Sequence, residues 1–292
     1  TGQDSAHKSC YRHRPESRHP DTMPTANALA YLMLVLWPLV SWILFTKLDP
    51  ARALIWTILG AYMLLPPVVS IDIPMVPAFN KYVVASLSAT AAVVFLLRQR
   101  VEVLPRSPVG RALVAIFIIS PFATVVTNGD QIDFDLATLP AMRIYDSVAV
   151  VAGQIIALLP FFLARKFLAT DDGMRAIVGS LSLAGLIYSV PMLWEVRFSP
   201  QLNLKIYGFF QHDFSQAIRY GAFRPFVFMP HGLWVAFFAM STLVASVVAL
   251  RVGPAMARPR QRVVAVSLLV GVGFCRSTGP LLYAIWVVPL RL

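Results

Sequence analysis

Long apolar runs, separated by short clusters of charge, divide this sequence in a way that is typical of membrane proteins. Most runs are long enough for an α-helix to cross the roughly 30 Å hydrocarbon core of a bilayer. Helix is the expected state, because an unpaired backbone group is costly in lipid. The chain is therefore predicted to be an all-α, polytopic integral membrane helical bundle. Eight spans are predicted, at 29–46, 51–70, 82–97, 111–127, 147–164, 174–194, 225–250 and 263–288.

The composition excludes the common soluble classes. Hydrophobic residues make up 58% of the chain and charged residues only 13%, whereas about a quarter of residues are charged in ordinary globular proteins. Cys10 and Cys275 are the only cysteines, which excludes a secreted disulfide scaffold. The net charge of +11 does not indicate a nucleic-acid partner, because the arginines fall between the apolar runs.

The two ends of the chain differ from its middle. Residues 1–22 are polar and lack apolar periodicity, whereas Met23 opens an apolar sequence. We expect 1–22 to be a non-native or disordered basic leader and 23–292 to be the transmembrane domain. The alternative is a native cytoplasmic tail that attracts anionic lipid. Since the chain stops shortly after the eighth span, we expect this domain to be incomplete at its C-terminus.

Lysine and arginine in the short loops predict the orientation of the spans. Basic clusters at 98–111, 165–175 and 251–262 follow every second span and are predicted to be cytoplasmic. The acidic loop 128–146 and the long loop 195–224 would then face outward. This arrangement places the N-terminus outside, whereas the basic charge of the leader predicts the cytoplasmic side. Either the leader is non-native or one early span is miscounted.

The outward segment before the seventh span carries most of the candidate site. It combines cationic, histidine and aromatic side chains over a short stretch of sequence. A helix beginning near Ser215 would place Gln216 and Arg219 on one face. That helix would end at Gly221 and leave Arg224 in the following turn.

A histidine is predicted at the start of the next membrane helix. Pro230 suits the first helical position, which places His231 in the first turn beside free backbone amides. Together with the two arginines, this arrangement suits a phosphate or pyrophosphate group. His231 would accept a proton, whereas His212 is a weaker candidate because loop histidines are usually solvated. The alternative for the whole cluster is a membrane anchor, with arginines that reach lipid headgroups.

An arginine interrupts the eighth predicted span. At 1.5 Å per residue, Arg276 lies about 20 Å from the cytoplasmic end of that span, in the outer half of the bilayer. A charge at this depth is costly. Arg276 is therefore expected either to face the bundle with Ser277 and join the same anion site, or to reach outward to the headgroups.

Other chemistry is not indicated. The sequence has no Gly-rich nucleotide loop, no His/Cys metal spacing and no nucleophile elbow, so neither a cofactor nor a metal is expected. Asp130, Asp133 and Asp135 have a spacing compatible with a divalent cation, but a solvated acidic loop is the favoured interpretation.

Two segments resemble the motifs of the O-antigen polymerase and ligase superfamily. The opening sequences YLMLVLWPLVSW and LPPVVSIDIPMVP are also similar to exopolysaccharide-type polymerases of that group. The motif segments are Arg219-Tyr-Gly-Ala-Phe-Arg224-Pro225, which continues into Pro230-His231-Gly-Leu-Trp, and Cys275-Arg276-Ser277-Thr-Gly.

The resemblance implies an integral-membrane glycosyltransferase that polymerises or ligates glycan units carried on undecaprenyl pyrophosphate. It implies metal-independent, inverting chemistry at the outer face of the cytoplasmic membrane, with the lipid-linked oligosaccharide, membrane lipid and other polysaccharide-assembly proteins as partners. The expected pyrophosphate ligands are Arg219 and Arg224, joined by Arg276; His231 is the expected catalytic base, and His212, Gln216 and Ser277 are further candidates.

Two alternatives remain open from the sequence. One is a transporter or flippase of an anionic or lipid-linked substrate, and the other is an inactive membrane fragment or scaffold. A transferase needs its arginines at an outward cavity at the level of the lipid headgroups. A carrier needs polar groups near the middle of the bilayer.

Overall fold

The computed structural model describes residues 25–73, 76–134, 137–252 and 258–291. These residues form a predominantly helical bundle, which confirms the prediction of an all-α architecture. The predicted leader 1–22 lies outside the described residues. The helices are α1 (Ala28–Lys47), α2 (Pro50–Leu64), α3 (Lys81–Ala91), α4 (Pro108–Thr127), α5 (Ile144–Phe167), α6 (Asp171–Phe198), α7 (Leu202–Tyr207), α8 (Gly232–Val252), α9 (Arg258–Phe274) and α10 (Thr278–Arg291).

Three antiparallel hairpins and two other helical turns occur in the described connections. A π-helical turn at Ala92–Leu96 continues α3, and a 3₁₀ turn at Phe214–Ala217 lies between α7 and α8. The hairpins pair β1 (Ser70–Ile71) with β2 (Phe79–Asn80), β3 (Ile132–Phe134) with β4 (Ala137–Leu139), and β5 (Ile218–Arg219) with β6 (Ala222–Phe223).

The sequence specifies where several helices begin. Helices α2, α4 and α6 each begin after a residue whose side chain caps the helix: Asp49 before α2, Ser107 before α4 and Thr170 before α6. Each of these side chains accepts a hydrogen bond from the backbone N–H three residues later, at 3.0 to 3.1 Å. Such caps satisfy amides that have no partner within the helix. Pro50 and Pro108 then take the first helical positions, where a missing N–H has no cost.

Five of the described helices, α1, α4, α5, α6 and α8, are long and apolar enough to cross a membrane. The most apolar window of α4 is only 11% buried, and large side chains such as Val109, Leu113 and Ile116 are exposed on it. A continuous apolar exterior of this kind is unfavourable in water and compatible with lipid. These features identify a membrane protein.

The predicted spans 51–70 and 82–97 correspond to shorter helices. Helix α2 ends at Leu64, just before a Pro-Pro pair, because proline cannot continue a helix. In α3 the hydroxyls of Ser86 and Ser88 donate to carbonyl oxygens four residues earlier, at 2.8 and 2.6 Å. These two hydroxyl groups are therefore satisfied by the backbone of their own helix.

The prediction of a single span at 263–288 is wrong. Two helices, α9 and α10, meet there in a turn at 275–277, where Arg276 has a left-handed backbone with φ of 48°. The ring of Tyr283 lies 6.2 Å from that of Phe237, and each is the sixth residue of its helix. Helix α10 therefore runs alongside α8, starting from the same end of the bundle.

Hydrogen bonds between connections show which helix ends lie together. The N–H of Asn27 donates to the carbonyl of Tyr207 at 2.9 Å, and the Tyr207 hydroxyl donates to the carbonyl of Leu64 at 2.6 Å. These contacts define one end of the bundle, which we call the α7 end. At the opposite, basic end, the ammonium of Lys166 donates to the carbonyl of Arg100 at 2.7 Å.

Close packing between α6 and α8 forms the centre of the main core. Gly185 of α6 lies so near to Thr242 of α8 that a β-carbon on the glycine would overlap the threonine side chain. Nearby, the rings of Tyr188 and Phe238 meet edge-on with centroids 5.3 Å apart. Small residues at such contacts let helix backbones approach closely in a membrane.

This contact predicts a difference between two glycines of α6. Alanine normally stabilises a helix by about 1 kcal/mol relative to glycine, and Gly179 has nothing within 4 Å of a β-carbon. We expect Gly179→Ala to raise the thermal unfolding midpoint in detergent and Gly185→Ala to lower it, because the added methyl group must separate α6 from α8. Equal gains from both variants would contradict the close contact.

Candidate functional site

The connection between α6 and α8 has a different structure from the one its spacing predicts. The expected helix from Ser215 is replaced by the 3₁₀ turn and the β5–β6 hairpin. Tyr220 and Gly221 form the two-residue tip of that hairpin, and both have left-handed backbones, with φ of 51° and 71°. This is the pattern of a type I′ turn, in which glycine is favoured. Helix α8 begins at Gly232, later than the start of the predicted span 225–250.

Arg224 is the buried centre of the candidate site. It follows β6, its side chain is only 3% exposed, and its Nη2 donates to the hydroxyl of Ser277 at 2.7 Å. Its Nε is buried and has no hydrogen-bond partner among the described residues. Gly232 leaves room for this side chain, because a β-carbon there would lie 2.7 Å from Nε. The hairpin, the α9–α10 turn and the start of α8 thus meet at one guanidinium.

The other two predicted arginines both lie at the β5–β6 hairpin. Arg219 is exposed on β5. Arg276, in the α9–α10 turn, donates from Nη1 to the carbonyl oxygens of Arg219 and Tyr220, at 3.3 and 3.1 Å. Arg276 therefore holds the hairpin tip through its backbone carbonyl groups, and its part in an anion site stays a prediction.

Two histidines face each other beside this cluster. The ring centroids of His212 and His231 are 4.7 Å apart, and the ring of Phe226 lies 5.4 Å from that of His231. The Nδ1 atom of His231 accepts a hydrogen bond from the N–H of Leu233 at 3.0 Å, so His231 caps α8 and does not lie within its first turn. In the neutral ring the proton is then on Nε2, which makes that nitrogen a donor.

The site carries positive charge that is not neutralised. No carboxylate of the described residues forms a salt bridge with any of the three arginines. Burial lowers the pKa of His231, and the charges of Arg224, His212 and Arg219 lower it further. Burial also lowers the pKa of Arg224, with a further contribution from Arg219. An anion bound here would relieve this mutual repulsion.

A buried glutamate, which the sequence did not single out, supports the segment before His231. Glu195, near the end of α6, is 1% exposed. Its carboxylate accepts hydrogen bonds from the N–H groups of Phe226 and Val227, both at 2.7 Å, and of Leu202 at 3.0 Å. Three backbone donors compensate for the burial of its charge.

A buried lysine supports the same segment from the opposite side. Lys81, the first residue of α3, is 2% exposed. Its ammonium donates to the carbonyl oxygens of Phe228 at 2.9 Å and Tyr62 at 3.0 Å. It also lies 5.3 Å and 5.7 Å from the ring centroids of Tyr62 and Tyr82, within cation–π range.

Two further side chains complete the support of residues 226–229. The amide of Gln211 donates to the carbonyl oxygens of Val227 and Met229 at 3.0 and 3.1 Å. The hydroxyl of Tyr188 accepts the N–H of Phe228 at 3.1 Å. We call residues 226–229 with Lys81, Tyr188, Glu195 and Gln211 the polar bracket.

A cleft of about 500 Å³ opens beside the arginine cluster. Arg276 and Ser277 line its polar side, and Val270, Phe274 and Leu281 line its apolar side. The combination suits an amphiphile that has an anionic head and a hydrocarbon chain.

The remaining sequence candidates have simpler positions. Gln216 lies in the 3₁₀ turn, where its N–H donates to the carbonyl of Asp213 at 3.1 Å, and no hydrogen bond joins its side chain to the described arginines. Within the described ranges, no group of three or more His, Cys, Asp or Glu side chains is placed to hold a metal. Asp135, of the acidic loop considered above, lies outside those ranges.

Comparisons with known proteins do not assign the chain. No protein-family model, curated protein or solved structure matches it.

Glu195 offers a direct test of the polar bracket. In Glu195→Gln an amide NH₂ replaces one of the two carboxylate oxygens. This NH₂ is a donor and faces a backbone N–H donor, so that at least one backbone N–H group loses its acceptor. We expect a loss of about 1–3 kcal/mol in the free energy of unfolding, measured by denaturation in detergent. Glu102→Gln is the matched control, because Glu102 is exposed at the basic end. An unchanged stability in Glu195→Gln would contradict the three hydrogen bonds.

Proposed function

We propose that this chain is an integral-membrane glycosyltransferase that polymerises or ligates glycan units carried on undecaprenyl pyrophosphate. The observation that carries the proposal is the buried guanidinium of Arg224. It has an unpartnered Nε within the described part of the chain and lies beside further uncompensated cations. Its Nη2 donates to Ser277, which lines a cleft with apolar and polar sides. A pyrophosphate joined to a long hydrocarbon chain matches both parts of this environment.

The orientation follows from the distribution of arginine. The described parts of the basic clusters lie at the end of the bundle opposite the site, and cationic loops favour the cytoplasm. We therefore place the α7 end and the arginine cluster at the outer face of the cytoplasmic membrane. The start of α1 contacts Tyr207 at the α7 end, so α1 also begins at that face. With α9 and α10 counted separately, the proposal assigns nine membrane helices to the described residues in place of the predicted eight spans.

The site residues would act on the donor in different ways. In inverting glycosyl transfer, an acceptor hydroxyl forms a bond to the anomeric carbon as the bond from that carbon to the pyrophosphate oxygen breaks, and the hydroxyl proton passes to solvent water. Arg224 and Arg219 would stabilise the charge left on the pyrophosphate. With Nδ1 occupied by a backbone N–H, His231 would donate from Nε2 to a phosphate oxygen, instead of acting as the catalytic base that the sequence predicts.

A flippase or transporter is the second candidate. It is favoured by the buried ammonium of Lys81, which forms no salt bridge with a described carboxylate. Lys81, at the start of α3, nevertheless donates to the backbone carbonyl oxygens of Tyr62 and Phe228, which is a structural environment. We therefore favour the transferase.

Substitution of the two site arginines tests the proposal in cells. In a deletion strain complemented with Arg219→Ala or Arg224→Ala, we expect loss of long surface glycan on gels, because the leaving pyrophosphate is no longer stabilised. Membrane insertion should remain intact. Arg52→Ala is the control, since Arg52 is exposed at the basic end and paired with Asp49.

The outcomes separate the two candidates. Single glycan units displayed outside the cell indicate failed polymerisation, whereas the absence of any exported unit indicates a failed carrier. Normal glycan length in both arginine variants would refute the pyrophosphate assignment. Arg219 is exposed, so its variant remains informative if Arg224→Ala fails to fold.

The lowered pKa of His231 predicts proton uptake on anion binding, in which Nδ1 is protonated and gives up its hydrogen bond from the Leu233 N–H. The free site disfavours imidazolium, and a bound pyrophosphate would raise this pKa again. Protonation of His231 therefore increases the affinity of the site for pyrophosphate when the pH is below the pKa that His231 has in the complex. This increase disappears as the pH rises through that pKa. We expect the ratio of wild-type to His231→Asn affinity for geranylgeranyl pyrophosphate to increase as the pH falls from about 8 to about 6.

Asparagine is the appropriate replacement because it also caps helix N-termini. The start of α8 should therefore be retained, and the titration of the pyrophosphate itself is the same for both proteins. A ratio that does not change with pH would exclude a contact between His231 and the bound anion.

A further inference from the structure

A second cationic cavity lies at the basic end, away from the arginine cluster described above. It is a groove of about 500 Å³ between α4 and α5. Leu113, Phe117 and Phe161 contribute apolar surface to it, and Arg106 and Arg165 also line it. We call it the α4–α5 groove.

Arg165 is the main cation of this groove. Its Nη1 atom is excluded from water and has no hydrogen-bond partner within the described ranges. Its guanidinium lies 5.8 Å from the ring centroid of Phe161, and no described carboxylate pairs with it. A buried donor without an acceptor is unfavourable, and guanidinium groups bind phosphate oxygens well. The Arg165 guanidinium therefore has a donor without an acceptor, and the oxygen of a bound anion would supply that acceptor.

Arg106 lies at the same groove, in a turn that Arg111 stabilises through hydrogen bonds. Arg111 of α4 donates from Nε to the carbonyl of Pro105 at 3.0 Å and from Nη2 to the carbonyl of Arg106 at 3.2 Å. The one described carboxylate that pairs with Arg106 is Glu102, at 3.8 Å, and both side chains are largely exposed. An exposed pair of this kind contributes little, so Arg106 is free to take another anion.

The N-terminus of α4 adds to the positive potential. Ser107 and Gly110 both line the groove, and they lie at the start of a 20-residue helix. The positive end of the helix dipole is therefore next to the two arginines. This contribution supports the charge of Arg106 and Arg165 and does not define the site alone.

We propose that the α4–α5 groove binds one anionic phospholipid, with its phosphate at Arg165 and Arg106 and an acyl chain along the apolar wall. The apolar exterior of α4 would already face lipid, and anionic headgroups are attracted to basic segments beside membrane helices. A zwitterionic phospholipid brings its own cation next to the arginines. Free phosphate would leave Leu113, Phe117 and Phe161 without a partner. This site is independent of the proposed glycosyl transfer.

Lipid retention by the purified full chain tests this site. The protein is offered phosphatidylglycerol and phosphatidylcholine in equal amounts in detergent, and the bound lipid is measured by native mass spectrometry. We expect preferential retention of phosphatidylglycerol by wild type. Arg165→Gln and Arg106→Gln should each weaken that retention about fivefold, because each removes one charge from the phosphate site.

Arg52→Gln is the matched control, since Arg52 lies at the same end but does not line the α4–α5 groove. Its retention of phosphatidylglycerol should equal that of wild type. Wild-type retention in both groove variants, or an equal loss in Arg52→Gln, would overturn the proposal. Displacement of the lipid by millimolar inorganic phosphate would also overturn it, because it indicates a site for the free ion. Arg106 is largely exposed, so its variant tests the groove without disturbing the core.

Discussion

The fold around the site depends on how the backbone of residues 226–229 is satisfied. This segment is neither helix nor strand, yet it lies between membrane helices, where unpaired N–H and C=O groups are costly. Side chains from α3, α6 and the connection after α7 supply the missing partners: Glu195 and Tyr188 accept its N–H groups, and Lys81 and Gln211 donate to its carbonyls. In this irregular segment, side chains therefore take the place of the backbone partners that a helix or strand would supply.

The polar bracket also explains why the candidate site is organised before any ligand arrives. Arg224 precedes the bracketed residues and His231 follows them, so both are positioned by one rigid segment. The hairpin that carries Arg219 is joined to this segment, because the N–H of Arg224 donates to the carbonyl of Ala217 at 2.8 Å. Preorganised cations need little rearrangement to bind an anion, which is a general advantage for both binding and catalysis.

The sequence predicted the parts of this structure that depend on periodicity and on caps, and missed those that depend on tertiary partners. Apolar runs located most helices, although the predicted span 51–70 continued past the Pro-Pro pair that follows the end of α2 at Leu64. The spacing of Gln216 and Arg219 was compatible with a helix. The left-handed backbone at Tyr220 and Gly221 instead forms the tip of a hairpin. Glu195 and Lys81 were missed because a charge at the end of a span usually reaches solvent, and only the folded backbone shows what these two bind. The turn at Arg276 was hidden within one apolar run.

Arg224 and Gly232 occupy a single shared volume. The space that a side chain at 232 would fill is already taken by the Arg224 side chain, so the two positions are sterically one unit although they lie eight positions apart in the sequence. Among related chains, a residue larger than glycine at 232 would then be compatible only with a shorter side chain at 224. The two alignment columns should vary together, and a chain that has lost one partner without the other would be expected to have lost the anion site as well.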